Sequence, residues 1–418
     1  MPIRIKLARS PKEIDDALWL RHEVFVVEHG KFGGTPVPGH RLVDHFDAFP
    51  SVYHVVAYEH TEPVATMRLV KDSDAGLPVD ELYDFTDYRR HAVSDLPSLG
   101  PEWAEKNTPV FGSAGMLAIR GPWRRRRAVI RAMFRIAATV CQGYGASHVV
   151  VVVNYETAGM YRRLGFTELS EKIWNAEIGN FVIPLAGTTQ QFIGWALGDL
   201  PDTALSSFKD SFERLVLRTG EVVFNEGDIG EHAYVVETGE IRISRRRDGD
   251  QELTLAHLGR GHLFGELALL DDLPRAASAT ALTDCELMTL DRRSFEQQLH
   301  DHPERARRLF KVFAARMRAM DELAMVLAFA HPSQRLEFAL DAARKQAAPD
   351  KSDPSRIVFR GGPRELALMA AVDEQVTRDY LDALATAGRV AFSERHISFP
   401  VVREGGSGAL PGADDAAA

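Results

Sequence analysis

Four glycines, Gly220, Gly227, Gly239 and Gly261, punctuate short runs of alternating apolar and polar residues at 222–224, 234–237, 241–244, 253–257 and 286–290. A period of two marks half-buried strands, and glycine lets the chain reverse between them within a few residues. The spacing predicts a small β-roll or barrel within 203–299. The flanking blocks differ in kind. Residues 1–187 alternate β-like runs (54–58, 148–153) with helical stretches, the pattern of an α/β domain. From 303 to 330, Phe310, Phe313, Met317, Met320, Ala324 and Leu327 recur at spacings of three and four, on one stripe of one helix. Such a stripe packs on its own domain or forms a two-helix dimer seam; the seam is the preferred reading. Three helical patterns follow (334–346, 364–371, 374–387), then two strand-like runs (389–392, 396–401).

A chain of 418 residues has room for two to four domains, and 45% hydrophobic with 26% charged residues suits a multi-core globular protein. Fifty basic against 59 acidic residues give −9, so a polyanion partner would need a local patch. Cys141 and Cys285 are too few for a disulfide framework or a cysteine zinc site, and no metal is expected. The first twenty residues have no signal-type apolar run, and no stretch reaches membrane-spanning length. The expected location is cytoplasmic. The expected division is 1–187, a connector 188–202, 203–330 with the long helix, 331–403, and a disordered tail 404–418.

The most specific segment is FGELALLDDLPRAASATA from Phe264 to Ala281. A carboxylate, Glu266, is followed nine positions later by Arg275, with Gly265 and Leu267 around the first and Ala276 after the second. A carboxylate can accept from a ribose hydroxyl, a guanidinium gives paired donors to a phosphate, and small residues admit backbone N–H groups to the same anion. The two could instead form only a salt bridge. Together with GEVVFNEGD, YVVETGEIRI and GHLFGE, the segment resembles the phosphate-binding cassette of the cyclic-nucleotide-binding domain family, a jelly-roll domain followed by a long helix. The resemblance implies pocket roles for Gly265, Glu266, Leu267, Arg275 and Ala276. Ala276 carries no hydroxyl, which in that family points to cyclic AMP over cyclic GMP.

In the first block, LRHEVFVVEHG, VDHFDAF, HVVAY, PVATMRL, FGSAGMLAI, WRRRRAVIRAM and HVVVVVNYETAGMYRRLGF resemble the GNAT acyltransferase superfamily. Arg21, Phe25, Asp44, Asp47 and Arg68 resemble the branch of acyl-homoserine-lactone and N-acyl amino acid synthases. The NYETAGMYRRLGF segment instead resembles acetyl-CoA-dependent members. Arg124, Arg125, Arg126 and Arg127 precede an apolar-periodic helix, and positive charge at a helix start suits a pyrophosphate; a merely solvated basic face is the alternative. Aligned on Arg125, Ala128 and Ile130 stand where the superfamily has glycines, so the donor is an acyl-CoA or an acyl carrier protein. The resemblance also implies donor contacts at Leu117, Ile119 and Asn154. Tyr161, seven residues after Asn154, stands where the family places the phenol that protonates the leaving thiolate, or is a half-buried aromatic. Candidate bases are Glu28, Asp44, Asp47 and, behind them, Glu23. For the two aspartates, ion pairing with Arg21 and Arg68 is the preferred role.

Residues 334–403 resemble the winged helix of catabolite-activator type, with Glu374 and Arg378 at its base-reading positions. Asp373, where that family has a basic residue, repels phosphate, and eleven basic against ten acidic residues make a poor DNA reader. A vestigial or protein-contacting module is preferred. The whole reads as an N-acyltransferase regulated by cyclic AMP, acting on an amine and dimerising through its long helix. The alternative is a transcriptional regulator whose acyltransferase-like domain is a sensor.

Overall fold

The computed structural model describes residues 1–32, 38–99, 108–197, 213–246, 252–301, 303–350 and 352–401. They divide into two compact units, 1–243 with 258–314, and 244–257 with 315–418. The expected tail 404–418 lies outside the described residues.

In the first unit, strands β1 (Ile3–Leu7), β2 (Val52–Glu59), β3 (Glu62–Lys71), β4 (Phe111–Ile119), β5 (His148–Asn154), β6 (Thr167–Glu168), β7 (Ile173–Asn175) and β8 (Asn180–Thr188) form one twisted sheet. Most neighbours are antiparallel; β4 and β5 are parallel. Three helices matter for the site: α1 (Pro11–Arg21), α2 (Thr86–Asp95) and α3 (Arg127–Gly143). Ser10 and Glu13 close a capping box at the start of α1. On α3, Val129, Ala132, Met133, Ile136, Ala137 and Val140 repeat at three and four, and this face is buried against the sheet. The short α4 (Ala158–Arg163) follows β5. Thr189–Leu197 forms α5, and its Phe192 and Ala196 are buried in the same core. These nine residues are thus part of the first domain, and of the expected connector 188–202 only 198–202 stay outside the described residues. The polar opening of TQQFIGWAL hides a helix whose apolar positions are four apart.

The nucleotide-type block supplies β9 (Arg214–Leu217), β10 (Val222–Phe224), β11 (His232–Thr238), β12 (Ile241–Arg246), β13 (Glu252–Leu258), β14 (Leu263–Phe264), β15 (Ser278–Ala281) and β16 (Cys285–Asp291), with the one-turn helix α6 (Leu267–Leu270) between β14 and β15. Each strand run expected from the glycine spacing is found. What spacing did not reveal is the junction: β9 pairs with β16 on one side and with β1 on the other, Ile3 opposite Val216 and Ile5 opposite Arg214. One twelve-stranded sheet therefore runs through both blocks, in the order β14-β11-β16-β9-β1-β2-β3-β4-β5-β8-β6 with β7 on β8. Helices α7 (Arg292–Asp301) and α8 (Pro303–Phe329) follow.

The second unit contains α9 (Pro332–Gln346), β17 (Ala348–Pro349), β18 (Arg356–Phe359), α10 (Pro363–Ala370), α11 (Glu374–Thr386), β19 (Ala391–Ser393) and β20 (His396–Pro400). The four strands form a sheet in the order β17-β18-β20-β19. Leu336, Phe359, Leu366, Leu381 and Ile397 make its core. Within this unit Glu365, although buried, is satisfied by Thr254 at 3.0 Å and His257 Nε2 at 2.7 Å.

Candidate functional site

The putting-apart of β4 and β5 defines the first site. Their parallel pairing covers only Phe111–Ser113 with His148–Val150, although both strands continue. Beyond it β4 bulges against β3 between Thr66 and Arg68, and Met116 takes φ +51°, a left-handed conformation that is strained for a side chain of its size. Leu117 and Ile119 thus lie on the stretch of β4 that has no β5 partner, and Asn154 ends β5 across from it. Backbone groups freed in this way can pair with an extended amide chain such as a pantetheine arm.

The four arginines then separate by role. Arg124 donates to the Ile119 carbonyl at 2.9 Å and pairs with Glu28, while Arg126 lies 3.8 Å from Glu59. Arg125 and Arg127 are exposed and have no carboxylate partner among the described residues. α3 begins at Arg127 with no side-chain cap bond, and Ala128 is half-buried in its first turn. An uncapped helix start flanked by two unpaired guanidiniums attracts an anion.

The aspartates go to a buried ion-pair scaffold. Arg21, fully buried, donates to both oxygens of Asp47 at 2.8 and 3.0 Å and lies 2.9 Å from His54 Nδ1. Arg68 reaches Asp44 at 2.5 Å and Asp47 at 3.1 Å. Asp44 also caps the turn His45–Ala48 through the Phe46 N–H, and Asp47 accepts from the Asp44 N–H. Burial works against the Asp47 charge, but the guanidiniums of Arg21 and Arg68 outweigh it and hold the carboxyl below its usual range. Burial, with Arg21 beside it, pushes His54 down to about 4, so the imidazole is neutral. Asp44 and Asp47 are both paired with guanidiniums, the arrangement of the ion-pair role, although the Asp44 side chain stays 32% exposed where that of Asp47 is 4%. His54, a third element of this scaffold, has no signature in the sequence.

Tyr161 is 4% exposed, edge-on to Phe134 at 5.5 Å and Phe166 at 5.9 Å. Its hydroxyl has no hydrogen-bond partner among the described residues, and burial pushes the phenol well above its ordinary range. His22, Glu23 and His40 bring ligand-type atoms within 4.8 Å of one another. A cavity of about 290 Å³ is lined by Asp80, Tyr83, Asp84, Phe85, Thr86 and Arg89; Arg89 lies 5.1 Å over the Phe111 ring, at the opposite end of β4 from the gap.

The second site is the cassette. Arg275, 5% exposed, donates to the carbonyls of Gly265 at 2.5 Å and His232 at 2.6 Å, and its guanidinium lies 4.2 Å over the Phe224 ring. Tyr234 and Phe264 stack beside it. Gly265 has φ +75°, a conformation that favours glycine, and a Cβ there would stand 2.9 Å from Arg275 Nη1, so any side chain would press on the guanidinium. A Cβ on Gly230 would stand 2.8 Å from Arg275 Cζ. Glu266 is buried, Leu267 half exposed at the start of α6, and Ala276 exposed beside the arginine. The cassette residues converge, whereas the ring shelf of Phe224 and Tyr234 and the carbonyl of His232 were not read from the sequence: a main-chain acceptor leaves no residue-type signal.

On α8, Phe310, Met317 and Met320 are 68%, 66% and 57% exposed, while Phe313 packs on the core around Phe295. In the second unit, Asp373 is the N-cap of α11, accepting from the N–H groups of Gln375 and Val376. Arg378 is held by Glu374 at 2.8 Å and by Glu394, on the β19–β20 turn, at 2.7 Å. Among the described residues no helix is long and apolar enough to cross a membrane.

Comparison with known proteins finds two families in succession. The model of the N-acyl amino acid synthase FeeM matches residues 16–187, and that of the cyclic nucleotide-binding domain matches 214–302. The cyclic AMP receptor protein of Thermus thermophilus is 35% identical over 189 residues, 45% of this chain and 82% of that protein. The cAMP-dependent protein kinase regulatory subunit of Blastocladiella emersonii is 40% identical over 94 residues, 22% of this chain and 23% of that one. The solved structure of FeeM, from uncultured soil microbes, is 15% identical with a TM-score of 0.36, covering 48% of this chain and all of that one.

Proposed function

Since the chain belongs to the cyclic AMP receptor protein family and carries at its N-terminus an N-acyltransferase domain of the N-acyl amino acid synthase kind, we propose that cyclic AMP controls its transfer of an acyl group to an amine. The observation that carries this reading is the convergence of both sites on one sheet: the β4–β5 gap with its anion-attracting helix start, and the cassette with Arg275.

An acyl-CoA or an acyl carrier thioester lays its pantetheine arm along Leu117–Ile119, opposite Asn154, with its phosphates at Arg125, Arg127 and the start of α3. The acceptor nitrogen attacks the thioester carbonyl, the C–N bond forms as the C–S bond breaks, the proton the nitrogen loses passes through Glu28 to solvent, and the thiolate leaves and is protonated from solvent. Tyr161 donates a hydrogen bond to the departing sulfur; its unpartnered hydroxyl is free to do so, and its raised pKa keeps the proton in place. Glu28, paired with Arg124 and 32% exposed, is the carboxylate that meets the acceptor amine. In the cassette Arg275 takes the cyclic phosphate, Glu266 the ribose hydroxyl, and Gly265, Leu267 and Ala276 shape the wall.

The second unit has the order of a winged helix, and the exposed stripe on α8 suits a dimer. Arg378 clamped by two carboxylates, and Asp373 spent on capping, speak against the DNA-reading alternative. The test is thiol release by the purified chain from a long-chain acyl-CoA and from the matching acyl carrier protein thioester, with free amino acids as acceptors. Amine-dependent release whose rate changes with cyclic AMP is the expected result. No release from either donor, with cyclic AMP absent or saturating, overturns it.

A further inference from the structure

We infer that the buried cluster Arg135–Glu286–Glu237–Arg214 couples nucleotide occupancy to the affinity of the acyl-donor site, an inference that rests on the regulated-acyltransferase reading above. Arg135 lies on α3 and donates from Nη1 to Glu286 at 2.7 Å, with Glu237 at 3.9 Å. Arg214 Nε, on the junction strand β9, is 2.8 Å from Glu237. Glu286 and Glu237 belong to adjacent strands β16 and β11, and both are almost fully buried, as is Arg214. Arg131, one turn earlier on α3, stands 3.9 Å from Glu286 at the exposed rim. Two acids and two bases thus meet out of water across the boundary between the acyltransferase block and the β-roll.

Each side of this cluster leads to one ligand site along a single rigid element. Arg135 is eight residues from Arg127, roughly 12 Å along α3 at its regular rise, and Arg127 opens the donor site. Glu237 is five residues from His232, roughly 17 Å along β11, and the His232 carbonyl is one of the two acceptors that hold Arg275. A cyclic phosphate competes for that guanidinium, so the empty and occupied pockets differ in whether the start of β11 is tied to Arg275. That differential contact is what a coupled equilibrium requires. Buried ion pairs have few alternative geometries, because a displaced partner leaves an uncompensated charge. A shift of β11 therefore moves Arg135 and α3 with it instead of being absorbed at the boundary.

The experiment measures dissociation constants on the full chain by calorimetry: myristoyl-CoA or the myristoyl acyl carrier protein with and without saturating cyclic AMP, and cyclic AMP with and without saturating donor. The parent is expected to show the same coupling factor in both directions, on the order of 5- to 100-fold. In Glu286→Gln, which keeps shape and removes the carboxylate that Arg135 binds, and in Arg135→Gln, the factor is expected to fall below about 2-fold, with each ligand alone binding within about 3-fold of the parent. Should Arg135→Gln fail to fold, Glu286→Gln and the double variant, in which no lone charge is created, decide the matter. A folded variant that keeps the parent's factor overturns the inference and leaves the regulated enzyme intact. A parent that binds both ligands with no coupling overturns both.

Discussion

The nucleotide cassette and the acyl-transfer site are built in opposite ways. In the cassette one arginine is buried and pinned by two main-chain carbonyls over an aromatic ring, Gly265 ten residues before it and His232 and Phe224 more than forty. In the acyl-transfer domain the arginines proposed to meet the donor are exposed, and the buried ones, Arg21 and Arg68, fasten α1 and β3 to the turn at Asp44–Asp47. On the proposed reading, burial means readiness for an anion in one site and structural commitment in the other. What separates them is the partner: main-chain carbonyls give up a guanidinium to a phosphate, whereas ionised carboxylates do not.

The largest effect that would break this contrast is in the scaffold. Asp47→Asn removes the carboxylate shared by two buried guanidiniums, and the expected loss is about 3–5 kcal/mol of stability, read from urea midpoints. His54 supplies a pH signature for the same place. Its folded pKa is depressed from 6.5 to about 4, so its contribution is present above 6.5 and lost as pH falls toward 4. Between pH 7 and 5 the parent is expected to lose about 2 kcal/mol more than His54→Gln, and equal losses would remove His54 from the scaffold.

Next in size is the cassette. Arg275→Leu deletes the guanidinium but leaves an apolar side chain over Phe224, so cyclic AMP affinity is expected to fall roughly 100- to 1,000-fold at unchanged melting temperature. A fall in stability matching that of Asp47→Asn would erase the distinction between a poised and a committed arginine. Tyr161→Phe comes third. A phenol whose proton is held tightly by burial gives hydrogen bonding more than proton transfer, and turnover is expected to drop about 10- to 100-fold with donor affinity retained. Unchanged turnover would make Tyr161 a core aromatic only.

The same contrast explains what the sequence could disclose. Gly265, Glu266, Arg275 and Ala276 are legible because they fall within one segment of twelve residues, and the strands between the glycines are legible because alternation is local. The scaffold joins residues up to 47 positions apart, from Arg21 to Arg68, and its aspartates carry the same one-letter signal as a catalytic base. Asp373 shows the reverse ambiguity: an acid at a helix start can serve as its cap, and the reading as a groove-facing repellent did not include the bonds to Gln375 and Val376. The pairing of β1 with β9 joins residues more than 200 apart through backbone groups alone, which no side-chain pattern encodes.

The smallest expected effect tests the exposed half of the comparison. If Arg125 and Arg127 meet the donor phosphates from solvent, replacing both by Gln weakens donor binding by only about 3- to 10-fold at low salt, because each contact is screened and gains little from desolvation. The parent's affinity should drop as salt rises and the variant's should drop less, so that the two converge near 0.5 M, where the Debye length is only about 4 Å. Arg124→Gln is the matched control: its guanidinium is already engaged by Glu28 and the Ile119 carbonyl, so its loss should act through local order, with little salt dependence. A donor affinity that is indifferent to both exposed arginines at every salt concentration would reduce the run to a solvated basic face, and would leave the start of α3 and the β4–β5 gap to hold the thioester alone.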